Sequence, residues 1–497
     1  MTAKGTIRTK FGDFTICHFT DGGEEAVALY QGTITGKGNI LCRIHSECMT
    51  SEVFNAVECD CPLQMENCQR DIQKEGLGII IYLPQQGRGN GLPAYIASLD
   101  LQAKNGLPQD KAYEALGFPA DRRSYNMAAK ILKYFGITSI RLISSNKEKL
   151  KAFEKWGIAV NRVDYSNHVI DIKRINTVLE YNKIGKSLSP VTREPNGTYI
   201  LIIADLCADY FIQTEGTIES NIMLSMPEPA AGGTAYNAAM AFAEKGLKPV
   251  IFGKVGDDLA GRMIINELET GKIISLIEIS PVKKTSSCVL FYHGNNRVVI
   301  RDDLIAGNAN DYDVDNLKQV MKLGIITKDD YIFFVGHFLT RCGIEHSRRL
   351  METALAAGAR IIFDAVPHDL YTQISLEQFN FVVKDDVELL VAEYRTLMGL
   401  LGRIHGGGKN DEDEPADDEI RDIMENFRAK IIDIRYGEAN ISKQIICARD
   451  KNGETFQILE RCGTGFDGSS LEKRKGFGDK LTAATVEKYL TFAKKVC

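Results

Sequence analysis

No apolar run in this chain approaches the ~18 residues that a membrane-spanning helix requires, and the opening MTAKGTIRTKFGDF lacks the apolar core of a secretory signal. Both absences make the cytoplasm the expected compartment. An excess of either charge is also missing. The 60 Lys and Arg stand against 66 Asp and Glu, for a net charge of −6, so nothing points to nucleic acid or a membrane as a partner. There is no internal repeat. Disulfides are not expected either: six of the 12 cysteines fall before residue 69 and the rest are scattered, a distribution that suits reduced thiols and a metal site. What is present is ordinary for a soluble globular protein, 44% hydrophobic and 25% charged. At 497 residues the chain is too long for one core, and two large domains are expected.

The string RIHSECMTSEVFNAVECDCPLQ holds Cys48, Cys59 and Cys61 at the spacing C-x10-C-x-C. Structural zinc sites are closed by four side chains, whereas hydrolytic ones use three and leave a position for water. Three thiols therefore read as a catalytic zinc site, with chance cysteines as the alternative. Cys61, Met65, Cys68 and Ile72 recur at helical spacing, so Cys61 should open an amphipathic helix. The buried-strand run GIIIYLP precedes a glycine-rich loop, QQGRGNGL, and from Tyr125 a helical pattern leads into ITSIRLISSN. Helices alternating with buried strands give an α/β fold. The stretch SLSPVTREPNG lacks periodicity and is followed by the strand-like TYILIIADL. The expected division is a first domain over 1–188, a linker over 189–197 and a second α/β domain over 198–497. A polar run at 405–419, HGGGKNDEDEPADDE, reads as a surface insertion.

Residues 1–188 resemble GTP cyclohydrolase II, the zinc enzyme that opens the imidazole ring of GTP in riboflavin synthesis. The resemblance rests on an ordered set: FGDF, RIHSEC, CDC with Gln64 after it, QQGRGNGL, EALGFPADRRSY and RLISSNKEK. It implies Cys48, Cys59 and Cys61 as zinc ligands, and Arg43, Glu47, Gln64, Gln86, Arg88, Ser144 and Lys149 as nucleotide-binding residues. It implies Asp121 as proton acceptor and Arg123 as nucleophile toward the α-phosphate, with Mg²⁺ accompanying the triphosphate. The cations suit phosphate oxygens, Arg in bidentate fashion. Three positions depart from the family. Gln86 stands where a carboxylate is usual, Leu99 where an active-site tyrosine is expected, and Gln109 where a threonine is expected. Tyr95 lies one helical turn from Leu99, on the same face. The reaction then either runs to formate and pyrophosphate release or stops at the formamide.

From Thr198 the chain resembles the ribokinase, or PfkB, family of carbohydrate and nucleoside kinases. The best-matched stretch is AAGGTAYNAAMAFAEKGLKPVIFGKVGDDLAGRM. The resemblance implies Asp209, Gly232, Gly233 and Asn237 at a sugar or nucleoside, ATP as phosphate donor, and Asp479 as catalytic base. Gly476, Phe477 and Gly478 would form an anion hole at a helix start. Glu388, in DDVE, would take the place of the family's Mg²⁺-organising glutamate. The departures cluster on the ATP side: Lys473, Arg474 and Lys475 replace small polar residues, and IRYGEAN keeps only Gly437 of a glycine pair. The combined expectation is a bifunctional, homodimeric enzyme using Zn²⁺ and Mg²⁺. The alternative is a cyclohydrolase acting on another nucleotide and regulated by a non-catalytic, nucleoside-binding kinase-like domain.

Overall fold

The computed structural model describes residues 1–54, 56, 61–105, 107–144, 147–163, 169–172, 193–214, 228–293, 296–301, 312–366, 369–383, 387–403, 413–437, 441–450, 452–453, 455–465 and 476–496. The chain divides into two units, Met1–Asn167 with Asn176–Ser189 and His168–Ile175 with Pro190–Cys497.

The first unit is built on seven strands: β1 (Ala3–Thr9), β2 (Gly12–Asp21), β3 (Glu24–Gln31), β4 (Ile40–Ser46), β5 (Gly78–Leu83), β6 (Ser139–Ile143) and β7 (Ala159–Val163). Their order is β1-β2-β3-β5-β4-β6-β7. The first four of these pair antiparallel, while β5-β4-β6-β7 is parallel. β5 reads GIIIYL without polar alternation because both of its faces are covered, and Ile79, Ile80 and Ile81 are fully buried. Five helices matter for the site: α1 (Met49–Glu52), α2 (Cys61–Glu75), α3 (Leu92–Asn105), α4 (Gln109–Ala115) and α5 (Asn126–Tyr134). On one face Cys68 and Ile72 of α2 pack with Phe14, Leu41 and Ile80, as the periodicity of Cys61, Met65, Cys68 and Ile72 requires. On the other face α5 lays Met127, Ala128, Ile131 and Leu132 against Ile44, Ile79 and Ile81. The sandwich leaves the C-terminal ends of β4, β5 and β6 to carry Glu47, Gln85 and Ser144.

The second unit contains a ten-stranded sheet of order β21-β20-β19-β18-β17-β16-β9-β12-β13-β8. Its strands are β8 (Val169–Asp171), β9 (Tyr199–Ile203), β12 (Lys248–Gly256), β13 (Ile274–Ser280), β16 (Tyr331–Val335), β17 (Arg360–Asp364), β18 (Val387–Glu393), β19 (Ile431–Tyr436), β20 (Lys443–Arg449) and β21 (Phe456–Gly463). A separate four-stranded sheet, β11-β10-β14-β15, is made of β10 (Cys207–Thr214), β11 (Ala230–Gly232), β14 (Ser286–His293) and β15 (Asn296–Arg301). The large sheet is parallel from β8 to β19 and antiparallel from β19 to β21. Its central runs YILII and YIFFV are buried throughout. Phe242, from the helix Gly233–Glu244, meets Phe333 edge-to-face at 5.5 Å. Chain order reverses at β9, which has β12 on one side and β16 on the other. Ligands of such sheets bind beyond the strand C-termini at this reversal.

Two sequence expectations change here. Residues 168–175 fall in the second unit, because Val169–Asp171 pairs in parallel with Ser275–Ile277 of β13. The acidic run is not an irregular insertion to its end. Asp417–Asn426 is a helix whose first turn holds Asp417, Asp418 and Glu419, where carboxylates oppose the positive end of the helix dipole. The Ala416 N–H donates to Glu419 Oε2 at 2.7 Å, and Asp417 pairs with Arg461 at 2.6 Å. Residues 405–412 of that run lie outside the described residues.

Candidate active sites

In the first unit, β4 carries Arg43 and His45, Glu47 follows the strand, and Cys48 is the residue that precedes α1. Cys48 is buried, and Cys61 opens α2, a helix in contact with α1. A thiol at the start of a long helix meets free N–H groups that favour its thiolate. Cys59 lies outside the described residues. Among the described residues no three His, Cys, Asp or Glu side chains gather as a metal-holding group, and the ten described cysteines are all free thiols.

Around this corner the cations converge. Arg43 is buried and its Nη2 donates to Gln64 Oε1 of α2. Lys149 is buried, donates to the Ile44 carbonyl at 2.8 Å, and lies 5.6 Å from the centre of the Tyr125 ring. Burial, joined by the charges of Arg43 and Arg123, holds the Lys149 amine well below its ordinary pKa, while Cys61 and Asp121 act in the opposite direction. Asp121 receives Arg123 Nη2 at 2.5 Å and Nε at 2.9 Å. Burial pushes this carboxyl up, but the Arg123 hydrogen bonds and charge, with Arg88 adding to them, outweigh it and leave the pKa lowered. Arg88 sits at φ 56°, a left-handed conformation unusual for a non-glycine residue, and its carbonyl accepts from the Arg122 N–H at 2.8 Å. That bond ties the glycine-rich loop to the Asp121–Arg123 segment. Glu47 is half-buried beside Cys48, its N–H donating to the Leu83 carbonyl at 2.9 Å. Ser144 is buried directly after β6.

The departures have definite places. Gln86 is buried, and its Oε1 accepts from the Met49 N–H at 2.7 Å, so this amide oxygen holds the start of α1. Leu99 packs in a small cluster with Tyr95 and Tyr113. The Tyr95 hydroxyl lies 3.4 Å from Thr50 Oγ1, which is 4.0 Å from Cys48 Sγ. A phenol thus reaches the cysteine corner from the helical turn before Leu99. Gln109 begins α4 and donates to the Tyr113 hydroxyl at 3.2 Å.

In the second unit, Asp209 on β10 is buried, with Cys207 Sγ donating to its Oδ1 at 3.0 Å. A Cβ on Gly232 would lie 2.0 Å from Asp209 Oδ2, so only glycine lets the next strand pass this carboxylate. Gly233 begins the helix Gly233–Glu244 that carries Asn237, and has φ +82°. Gly476 packs against Asn237, 3.3 Å from Asn237 Cβ to its would-be Cβ. This brings the turn Gly476–Phe477–Gly478, with Asp479 after it, to the helix that carries Asn237. The helix Phe477–Val496 begins there, and space is open above Gly478. Burial, with Asp364 and Asp205 nearby, pushes the Asp479 carboxyl well above its ordinary range, while Arg435 acts in the opposite direction.

The structure does not bring Glu388 to this place. It stands at the start of β18 and pairs with Lys430 at 3.0 Å, whereas Asp205, Asp364, Glu393 and Arg435 cluster past or near the C-terminal ends of β9, β17, β18 and β19. The expected Mg²⁺ role of Glu388 is corrected on that ground. Glu393, at the functional end of the same strand, is the buried carboxylate close to Asp364.

Comparison with known proteins decides the family. Residues 1–165 match GTP cyclohydrolase II, and residues 198–389 match the pfkB family carbohydrate kinases. The chain is 40% identical over 162 residues to GTP cyclohydrolase-2 of Aeromonas hydrophila subsp. hydrophila, covering 32% of this chain and 82% of that protein. The chain belongs to the GTP cyclohydrolase II family. It is likewise 42% identical over 160 residues to GTP cyclohydrolase-2 of Azotobacter vinelandii, 32% of this chain and 76% of that one. Among solved structures it is similar to adenosine kinase from Sinorhizobium meliloti, at 15% identity and TM-score 0.44, covering 59% of this chain and 88% of that chain. The chain thus joins a GTP cyclohydrolase II domain to an α/β domain in which residues 198–389 match the pfkB family carbohydrate kinases.

Sequence reasoning missed several site residues. In the cyclohydrolase II domain these are His45, Glu52 and Tyr82, which lie behind Arg43. In the kinase-like domain they are Arg435, Asp433 and Thr482. Arg435 is buried and donates to Asp433 Oδ2 at 3.1 Å, to Thr482 Oγ1 at 2.8 Å and to the Gly478 carbonyl at 3.2 Å. The available signal was an Asp-x-Arg pair inside an otherwise apolar strand, IIDIRY, where two charges on one strand face must be paired.

Proposed function

We propose that the N-terminal domain hydrolyses GTP, opening its imidazole ring and releasing formate and pyrophosphate, and that the C-terminal domain phosphorylates a sugar or nucleoside with ATP. One observation carries the first half: Cys48, Cys61, Arg43, Gln64, Lys149, Asp121 and Arg123 meet at one end of the β4-β6 sheet. The thiols of Cys48 and Cys61, with Cys59, are a donor set suited to zinc, and Cys61 stands where a helix start stabilises a thiolate. When bound, zinc supplies Lewis-acid activation of water. The chain's own residues do the rest. Arg43, Arg88 and Lys149 hold the triphosphate, Mg²⁺ sharing its charge. A carboxylate kept ionised by Arg123 makes Asp121 a proton acceptor, and Arg123 faces the α-phosphate. Tyr95 takes over the hydroxyl that Leu99 lacks, which supports completion of the reaction over arrest at the formamide.

Mass spectrometry of products from zinc-replete protein, GTP and Mg²⁺ tests this reading. Formate, pyrophosphate and a diaminopyrimidinone product are expected, and Tyr95→Phe should accumulate the formyl-bearing intermediate at least tenfold over wild type. Unreacted GTP would refute the reaction, and an unchanged product pattern in Tyr95→Phe would remove the role of that hydroxyl.

The kinase reading is supported by Asp479 at the start of the helix Phe477–Val496, with Gly476 packed on Asn237. The open space above Gly478 and the helix N–H groups suit a transferring phosphate. The proposed setting is the cytoplasm, with the protein as a homodimer.

A further inference from the structure

Behind Arg43, β4 and β5 place His45 and Tyr82 directly opposite each other in parallel register. Their rings stack at 5.8 Å with 11° between planes. Glu52, the last residue of α1, binds both. Its Oε1 lies 2.5 Å from His45 Nε2, and its Oε2 accepts from the Tyr82 hydroxyl at 3.1 Å. On the other side of the imidazole, Arg43 Nε donates to His45 Nδ1 at 3.3 Å. An imidazole that accepts at Nδ1 must carry its proton on Nε2, where it donates to Glu52. His45 is 1% exposed, so it touches no ligand itself.

We propose that His45 is a positioning residue for the nucleotide-binding Arg43, with Glu52 and Tyr82 fixing its ring and tautomer. The relay rests on the reading of Arg43 as a triphosphate ligand. An arginine side chain turns about four bonds, and the contacts of this guanidinium, among them those to Gln64, to His45 and to the Ile143 carbonyl at 3.5 Å, fix its plane. The relay also joins the nucleotide cation to α1, the helix that follows Cys48. Anion affinity and the cysteine corner are thereby set by one partly buried chain of hydrogen bonds, and Arg43 spends no orientation entropy when the nucleotide binds.

Two substitutions separate the two nitrogens. His45→Asn keeps an acceptor near the Nδ1 position for Arg43, whereas His45→Gln keeps a donor near Nε2 for Glu52 and removes that acceptor. With zinc-replete full-length protein, His45→Gln should raise KM for GTP about tenfold with kcat within about threefold, the loss expected of one charge-assisted contact. His45→Asn should keep KM within about twofold. Wild-type KM in His45→Gln would overturn the relay, as would equal losses of kcat, zinc and thermal stability in both variants, the pattern of a merely structural residue. Calorimetric titration with inorganic tripolyphosphate reads the same relay without the reaction. Wild type that binds tripolyphosphate about tenfold tighter than His45→Gln, yet leaves GTP intact, would sink the GTP reading and leave the relay standing. Equal binding by the two, or none by wild type, overturns the relay.

Discussion

Asp364 shows how a single buried carboxyl shapes the kinase-like site. Burial lifts its pKa from 3.8 to about 6, against the opposing charge of Arg435 and a hydrogen bond from Thr482, and Asp433 and Glu393 add to the rise. The Thr482 hydroxyl donates to its Oδ2 at 3.1 Å. A folded-state pKa above the unfolded one means that the folded protein binds more protons between the two values. The group is thus most favourable below 3.8, and that stability is lost as pH rises through about 6. The difference is about 3 kcal/mol once Asp364 is ionised. Asp364→Asn keeps an oxygen for Thr482 and removes the charge. It should raise the melting temperature of the kinase-like unit at pH 7.5, and calorimetric scans should show the gain shrinking toward pH 4. An offset independent of pH would mean that the carboxyl is not titrating in this window.

At the scale of elements, the loop after β5 stores backbone strain beside the proposed nucleotide site. Arg88 holds a left-handed conformation at φ 56° between two glycines that also have positive φ, at a cost of about 1 kcal/mol. Arg88→Gly should relieve that strain, raising stability by up to about 1 kcal/mol in chemical denaturation. It should also lower kcat/KM for GTP by at least about a hundredfold through the lost phosphate contact. A stable variant with normal kcat/KM would show that Arg88 is placed for packing alone. Much of this element structure was legible in the sequence, because apolar periodicity reports burial. Helix α2 followed from Cys61, Met65, Cys68 and Ile72, and β5 and β9 from unbroken apolar runs. The failure at Glu388 has the same origin in reverse. A motif-like DDVE marks polar residues before a buried strand, but parallel sheets gather their chemistry at the other end, where Glu393 stands. His45, Glu52 and Tyr82 were illegible for another reason: their meaning lies in the register of β4 against β5 and in a four-residue helix, neither of which leaves a periodic trace.

For the whole molecule, the question is whether one chain runs two reactions or one reaction under the control of a second binding site. The two units have separate sheets and separate clusters of buried charge, one centred on Arg43 and Lys149, the other on Arg435 and Asp479. Their proposed chemistry also differs in its metal: cysteine thiols hold zinc in the first, and phosphate charge calls for Mg²⁺ in the second. Covalent fusion keeps two activities at fixed stoichiometry. Independent catalysis then predicts a double dissociation. Stripping zinc with a chelator at constant free Mg²⁺ should abolish formate release from GTP and leave acceptor-dependent ADP formation, screened over sugars and nucleosides, within about twofold. Asp479→Asn should do the opposite, lowering ADP formation by at least about a thousandfold, as expected for loss of a catalytic base and its charge, with GTP turnover unchanged. A different pattern would favour control over catalysis: a nucleoside that alters GTP turnover in wild type and in Asp479→Asn alike, with no phosphorylated product in either. In that case the buried carboxylates around Arg435 would serve recognition, and the kinase fold would have been kept for its binding site after phosphate transfer was lost.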